Sequence, residues 1–338
     1  MQLSHGPKVR DGNDSPFHYF VTMKHSNKVI FYINKGVHLL DLAGAAQAFY
    51  EAHQYGQPYQ LVFCSDGADP MSSAGLPFAV LAHYSTVEAG AGDLLIIPGF
   101  QLRELNRAKG LLAWLRKAAA SEAVLCSVCT GAFLLAEAGL LDNAECTTHW
   151  KYTEQLRREY PAIKVLTDRL FVKCGNIYTS AGVTTGLDMA LFLLEERHGP
   201  EFTYKVAREL VVYIRRDGSE PQESVYLQHR SHVNNEVHIV QDWMIRHLQQ
   251  KIRIDELAAL IYTSPRNLTR LFKSTTGVTI GQYLEKLRVE KAVHLLRQRA
   301  KVGAIPQQCG LQSANQLRSL LKKHTGRLPS ELAGAEPA

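Results

Sequence analysis

The sequence lacks any apolar run of the roughly 18 residues that a membrane-spanning helix needs. The nearest stretch, 124–136, is interrupted by Thr130 and Gly131. Residues 1–27 are polar and have no apolar core of the kind found in signal peptides. We therefore expect a polar N-terminal tail there, no export signal and no membrane partner.

Cysteine is scarce, and its six positions show no regular spacing. This pattern argues against a disulfide framework and favours reduced, buried thiols in a cytoplasmic protein. Cys126 and Cys129 form a C-x-x-C pair, but no second pair and no paired histidines complete it. The sequence therefore predicts no metal site and no cofactor.

Acidic residues become sparse in the last third of the chain. Residues 237–338 contain 16 lysines and arginines against 7 acidic residues, whereas residues 1–236 contain 22 against 25. The net charge of +6 therefore combines a slightly acidic body with a basic C-terminal module. A chain of 338 residues is long enough for two domains, and the asymmetry predicts a polyanionic partner for the second.

Short apolar strands alternate with helices in the first part of the chain. The predicted strands are 28–33, 59–64, 93–98 and 123–128, and the predicted helices are 41–52, 111–120 and 130–138. This alternation predicts a parallel α/β sheet with helices on both faces. Ligands bind at the carboxyl ends of the strands in such sheets, which points to Asp41, Gly99-Phe100 and residues 127–132.

Cys129 lies where a predicted strand turns into a helix within one or two residues. A nucleophile at such a turn is raised above the sheet edge, close to helical N–H groups that favour a thiolate. The alternative is a small residue packed at a turn, and spacing alone leaves both interpretations open.

Two segments carry a family resemblance. SVCTGAFLLAEAGLLDNAECTTHW (127–150) and YTSAGVTTGLDMAL (178–191) resemble the ThiJ/PfpI-type, glutamine-amidotransferase-like domain, in particular the branch at the front of GlxA-type bacterial transcription regulators. The resemblance covers about residues 28–215 and implies a flavodoxin-like, doubly wound fold. It places Cys129 at the elbow with the acidic Asp41 leaning over it.

The resemblance also includes enzymes. An isonitrile hydratase of the family has an Asp, Cys and Thr motif that matches Asp41, Cys129 and Thr130. Protease-like members have a histidine directly after the elbow cysteine, where this chain has Thr130. His149 is the nearby residue that could act as a base instead. The alternative interpretation is that His149 is a structural histidine beside Trp150.

We expect this domain to bind a small, nitrogen-containing metabolite and to dimerise, without being an enzyme. The alternative is a hydratase or amidase that uses Cys129, Thr130 and Asp41. The vestigial catalytic candidates are Cys129, Asp41, Thr130 and His149. The expected effector-binding residues are Asp41, Gly99, Phe100, Cys129, Thr130, His149, Trp150, Ala181 and Gly182.

Residues 216–236 are polar and are predicted to link the first domain to a helical module over 237–332. The module should begin with a helix over 239–248. Asp255 is expected to cap the next helix. After a short turn, Ser264 should cap a helix with Pro265 at its first position.

This second helix has an apolar face and a basic face. Leu268, Leu271 and Phe272 are expected to be buried. Two short helices of this kind predict a helix-turn-helix unit, since arginine suits guanine edges and asparagine suits adenine. The predicted DNA-contacting residues are Arg266, Asn267, Thr269, Arg270 and Lys273.

A similar unit spans 300–326, with Gly310 in its turn and Ser313 as a helix cap. A helix over 279–299 joins the units, and its length suits one turn of DNA. For either unit alone, a helical hairpin with a solvated basic face is the alternative. The predicted DNA-contacting residues here are Asn315, Gln316, Arg318, Ser319 and Lys322.

The module resembles the AraC/XylS-type DNA-binding domain over about residues 237–332, through LAALIYTSPRNLTRLFKSTTG and YLEKLRVEKAVHLL. The second unit departs from the pattern, because Pro306 follows Ile305 and leucines replace two aromatic residues. Pro306 should shorten its helix. The sequence thus predicts a regulator that binds double-stranded DNA, mainly through Arg266, Asn267 and Arg270.

Overall fold

The computed structural model describes residues 28–67, 69–213, 215–297 and 300–333. The predicted tail over 1–27 lies outside these residues, as do the last two residues of the helix predicted over 279–299. The chain forms two compact units, of which the first ends at Arg215 and the second begins at Arg216 and includes Asp168–Leu170. In the described part of the chain, no helix is both long enough and apolar enough to cross a membrane.

The described residues of the first unit form nine strands and six α-helices. The strands are β1 (Lys28–Tyr32), β2 (Gln60–Ser65), β3 (Ala82–His83), β4 (Leu94–Ile97), β5 (Val124–Val128), β6 (Glu145–Cys146), β7 (Lys164–Val165), β8 (Phe171–Cys174) and β9 (Ile177–Ser180). The helices are α1 (Leu39–Ala52), α2 (Lys109–Ala120), α3 (Gly131–Glu137), α4 (Thr153–Glu159), α5 (Thr185–His198) and α6 (Pro200–Glu209).

Seven of these strands form one sheet in the order β3-β2-β1-β4-β5-β9-β8, and β6 and β7 form a separate pair. All pairings in the large sheet are parallel except that of β8 with β9. The chain proceeds from β1 to β2 on one side and then crosses to β4 on the other. The doubly wound α/β fold is therefore confirmed, with its switch point between β1 and β4.

Side chains alternate between the two faces of the sheet, and both faces are buried. Ile30, Tyr32, Leu95 and Ile97 pack into one core cluster that includes apolar residues of α2 and α3. The alternate residues of β1 and β4 are also fully buried. Helices α1, α5 and α6 pack against one another. Burial on both faces explains why the central strands are continuous apolar runs.

The second unit is entirely helical in the described residues. Its helices are α7 (Val225–Gln228), α8 (Asn235–Arg246), α9 (Ile254–Leu260), α10 (Pro265–Thr276), α11 (Ile280–Arg297), α12 (Ile305–Gln308), α13 (Ala314–Thr325) and α14 (Pro329–Ala333). Helix α8 begins earlier than expected because the Asn234 side chain accepts a hydrogen bond from the Val237 N–H at 2.9 Å.

Helix α11 joins two small cores. Tyr283 and Leu287 pack into the core that contains α8, α9 and α10. Ala292 and Leu296 pack into the core that contains α12 and α13. The 18 residues of α11 span about 27 Å. Its two halves therefore fix both helix-turn-helix units to one rigid element.

The helix caps of the two units match the expectation in two of three cases. Ser264 and Ser313 accept hydrogen bonds from the N–H groups of the third residue in their helices. Pro306 is the second residue of α12, so this four-residue helix begins directly before the proline, where the missing N–H breaks no helical hydrogen bond. The expectation for Asp255 was wrong, because α9 begins at Ile254 and Asp255 lies within its first turn, where a carboxylate favours the helix dipole.

Candidate functional site

The candidate site lies where four neighbouring parallel strands end. Asp41 belongs to the first turn of α1, Gly99 follows β4, Cys129 follows β5 and Gly182 follows β9. These segments approach so closely that a Cβ on Gly99 would lie 3.2 Å from Cys129 Sγ, and one on Gly182 would lie 3.0 Å from it. The structure thus brings together residues that the sequence placed at separate strand ends.

Cys129 occupies a strained turn between β5 and α3. Its φ of 56° is in the left-handed region, which residues other than glycine seldom adopt. The neighbouring backbone holds this conformation, because the Cys129 N–H donates to Ser180 O at 2.9 Å and Thr148 Oγ1 donates to the Cys129 carbonyl at 2.7 Å. Strain of this kind persists where surrounding contacts over-determine the backbone, and such positions cluster at functional sites.

The hydroxyl group of Thr130 is hydrogen-bonded to the backbone of Phe100. Its hydroxyl donates to Phe100 O at 2.6 Å and accepts from the Phe100 N–H at 2.8 Å. Both residues are fully buried. The threonine therefore ties the loop after β4 to the elbow after β5, and it shapes the site from behind.

Asp41 is a fully buried carboxylate. One of its oxygens accepts the Val183 N–H at 2.5 Å, and the other lies 3.3 Å from His38 Nδ1. Sequence reasoning missed both partners. His38 was overlooked because the helix was predicted to begin at Asp41, whereas α1 begins at Leu39 and places His38 one turn before Asp41.

The environment of the Cys129 thiol opposes its ionisation. Burial raises the thiol pKa, and the nearby Asp41 carboxylate raises it further. The Thr130 backbone lowers the thiol pKa by a smaller amount. The expectation that helical N–H groups favour a thiolate was therefore wrong, since desolvation and a neighbouring anion outweigh them.

His149 and Trp150 are more exposed to solvent than Asp41 and Cys129. His149 Nδ1 accepts the Lys151 N–H at 3.3 Å, so this ring caps a short turn. Burial lowers the pKa of His149, while the charge of Asp41 acts in the opposite direction. The Trp150 ring is 5.4 Å from His149, and its side chain is 54% exposed. These two residues border the site, whereas Ala181 is buried beside Gly182.

The second candidate site is the exposed face of α10. Leu268 and Phe272 are buried, and Leu271 is half-buried. Within the described residues, the cations of this face form no ion pairs. Their charged groups are therefore available for DNA phosphates and base edges. The exposed face consists of Arg266, Asn267, Thr269, Arg270 and Lys273.

The corresponding face of α13 is also exposed, but some side chains on or beside it already form contacts within the protein. Gln316 Oε1 accepts the Gln312 N–H at 2.8 Å, and the neighbouring Lys323 pairs with Glu285 at 2.6 Å. This leaves two cations on the predicted face, against three on α10. The residues predicted here, all exposed, are Asn315, Gln316, Arg318, Ser319 and Lys322.

Two family models match this chain. The model described as the DJ-1/PfpI family matches residues 27–196, and the model described as a helix-turn-helix domain matches residues 257–335. Two solved structures with TM-scores of 0.50 show the same fold: a ThiJ/PfpI family protein from Pseudomonas syringae and DJ-1beta from Drosophila melanogaster. They are 19% and 20% identical and cover 80% and 56% of this chain, which in turn covers 96% and 100% of theirs.

Curated relatives include transcription regulators and one enzyme. The HTH-type transcriptional regulator CdhR of Pseudomonas aeruginosa is 31% identical over 273 residues, 80% of each chain. GbdR of the same species, also an HTH-type transcriptional regulator, is 28% identical over 87% of this chain and 77% of its own. The isonitrile hydratase of Pseudomonas putida is 35% identical, but over only 35% of this chain and 51% of its own.

Alkylation of Cys129 tests the electrostatics of the site. Because Asp41 raises the thiol pKa, Asp41→Asn should lower that pKa and speed the reaction of Cys129 with iodoacetamide at neutral pH. Peptide mass spectrometry resolves Cys129 from the other five cysteines. Asp142→Asn, at an exposed aspartate, is the matched control and should leave the rate unchanged. Alkylation of the unmodified chain at the rate of a free thiol would contradict this electrostatic account.

Proposed function

We propose that this chain, which belongs to the DJ-1/PfpI family and is a transcription regulator with a helix-turn-helix domain, senses a small nitrogen-containing metabolite through its first domain. The observation that carries the proposal is the buried Asp41 carboxylate at the strand ends. The first domain is also proposed to dimerise.

The Asp41 carboxylate favours a ligand that carries a donor nitrogen. A buried anion is costly unless donors or cations compensate it. The protein supplies the Val183 N–H to one oxygen, and the carboxylate otherwise meets only weak or neutral partners, the partly exposed His38 and the Cys129 thiol. A ligand with an ammonium or amide N–H can add a donor here, and the aromatic His149 and Trp150 border its path.

The local chemistry supports binding over turnover. The thiol of Cys129 is held protonated by burial and by Asp41. The Thr130 hydroxyl already serves the Phe100 backbone. A hydratase or amidase that uses Cys129, Thr130 and Asp41 remains the second candidate, favoured by the partial similarity to isonitrile hydratase.

A ligand screen tests the sensing role. Amines, amino acids and other nitrogen metabolites are added to the full chain, and a true effector should raise its unfolding temperature. At a ligand concentration of 100 Kd, mass action adds about 2.7 kcal/mol to the free energy of unfolding. The same compound should change the affinity for DNA.

Asp41→Asn should abolish this stabilisation, because the amide keeps an oxygen for the Val183 N–H but loses the charge. Asp142→Asn is the control. Stabilisation that persists in Asp41→Asn would argue against the binding site. Turnover of a nitrile, isonitrile or amide that disappears in Cys129→Ala would instead establish the enzymatic alternative.

The outer face of α1 supports dimerisation. Leu40 and Tyr50 are 63% and 57% exposed, and with the exposed Ala43 and Gln47 they form one stripe along the helix. Large apolar side chains gathered on one helix face are typical of a protein interface. We infer that two copies pair through this stripe.

Ala43→Arg tests the interface, because a charge in the centre of the stripe would be buried on pairing. The unmodified chain should have the mass of a dimer in light scattering, and the variant that of a monomer. Leu76→Arg, at an exposed leucine outside the stripe, should remain dimeric. A dimer that tolerates Ala43→Arg would place the interface elsewhere.

The DNA-contacting residues follow from the two exposed helix faces. Helix α11, which is about 27 Å long, joins the two units, and its length is comparable to the roughly 34 Å of one DNA turn. Both units therefore suit successive major grooves. We infer that α10 dominates recognition, because α12 has four residues against seven in α9 and the α10 face has three cations against two on the α13 face.

Arg270→Ala should weaken binding to a DNA duplex selected by the full chain from a random pool. The loss expected for a base-contacting arginine is about 1–3 kcal/mol, and Arg318→Ala should cost less. Arg158→Ala, at an exposed arginine of the first unit, is the control. Affinity measured by fluorescence anisotropy should also fall steeply with salt. A larger loss in Arg318→Ala would reverse the ranking.

A further inference from the structure

Three side chains with different metal-binding atoms meet at the candidate site. His38 Nδ1, a carboxylate oxygen of Asp41 and Cys129 Sγ all lie within 4.8 Å of one another. Asp41 and Cys129 are buried, and the His38 side chain is 30% exposed. The three residues come from two chain segments that are 88 residues apart, so no short sequence motif identifies them as a group.

The separations are close to those of a tetrahedral metal site. With zinc bonds of about 2.0–2.3 Å, neighbouring ligand atoms lie about 3.4–3.6 Å apart. The His38 Nδ1 and Asp41 Oδ2 atoms are already 3.3 Å apart. The widest separation in the trio needs to shrink by only about 1 Å, and a small rotation of one side chain supplies that.

Two of the three side chains are held in place by the fold. The Cys129 backbone is fixed by Ser180 and Thr148, and Asp41 is fixed by the Val183 N–H. Gly99 and Gly182 border the thiol, since a Cβ on either would lie within 3.2 Å of Cys129 Sγ. His38, the most exposed of the trio, is therefore the ligand that adjusts, and it offers the cation a way in.

We propose that His38, Asp41 and Cys129 form a binding site for a thiophilic divalent cation of the zinc class. A thiolate, an imidazole and a carboxylate are a donor set that zinc accepts, whereas magnesium and calcium prefer oxygen ligands alone. Three protein ligands leave a fourth position for water or for a ligand that enters past His149. The cation would compensate the buried charge of Asp41.

This inference goes beyond the proposed metabolite site; the two share the Asp41 carboxylate, and separate experiments test them. The metal titration uses zinc alone, whereas the metabolite screen runs in the presence of a chelator. A metabolite that binds without metal leaves the metal result unaffected, and the reverse also holds. Failure of either proposal can therefore be recognised separately.

Calorimetric titration of the reduced full chain with zinc tests the proposal, with a reductant that does not bind metals. One ion per chain is expected. His38→Gln should weaken binding by more than the roughly 10–100-fold that loss of an outer-shell partner costs, because a direct ligand is removed. The control His53→Gln alters an exposed histidine at the end of α1 and should bind as the unmodified chain does.

Cobalt provides a second readout that identifies the sulfur ligand. The cobalt-loaded chain should show a sulfur-to-metal charge-transfer band, which Cys129→Ser should remove and Cys174→Ser should retain. Circular dichroism checks that each variant is folded. Absence of stoichiometric zinc binding, or binding that is unchanged in both His38→Gln and Cys129→Ser, would overturn the proposal.

Discussion

The candidate site depends on a carboxylate that is buried at the end of a parallel sheet. Asp41 has no exposed surface, and the Val183 N–H and His38 compensate its charge only in part. It adds to the effect of burial on the thiol beside it, because a nearby anion raises the thiol pKa further. The same excess of negative charge makes the site suited to a donor or a cation. One residue thus suppresses nucleophilic chemistry and promotes binding.

Two glycines, which have no side chain, allow Asp41 and Cys129 to approach each other closely. Gly99 and Gly182 each leave the thiol barely enough space, and a Cβ on Gly99 would clash with the Asp41 carboxylate. Gly182 also has a φ of 112°, which favours glycine on conformational grounds. The site therefore rests on backbone geometry at three strand ends as much as on its polar groups.

Sequence patterns predicted the central strands because apolar runs flanked by turns carry a strong periodic signal. They missed β3, β6 and β7, which have two residues each and are too short to show any period, and also the four-residue strands β8 and β9. Cys129 and Asp41 were found because the strand-end rule and the family resemblance both pointed to them. His38 and Val183 were missed because their roles arise from tertiary approach.

The capping residues show the same limit on a smaller scale. Ser264 and Ser313 were predicted because each precedes a helix with a clear apolar face. Asp255 was assigned to a cap because its side chain suits one, but α9 begins at Ile254 and draws on Asp255 for its first turn instead. Helix ends are set by a balance of local hydrogen bonds, which a residue type alone does not decide.

Thr130 lies directly after the elbow cysteine, where protease-like members of the family have a histidine that could act as a base. At this position a histidine would place an imidazole beside the thiol, where it could accept the thiol proton. The threonine hydroxyl instead forms two hydrogen bonds with the Phe100 backbone. The substitution stabilises the loop after β4 and leaves the thiol beside an anion without an adjacent base. The metabolite-sensing role proposed for this domain agrees with such a site, because sensing requires binding and no proton transfer from the thiol.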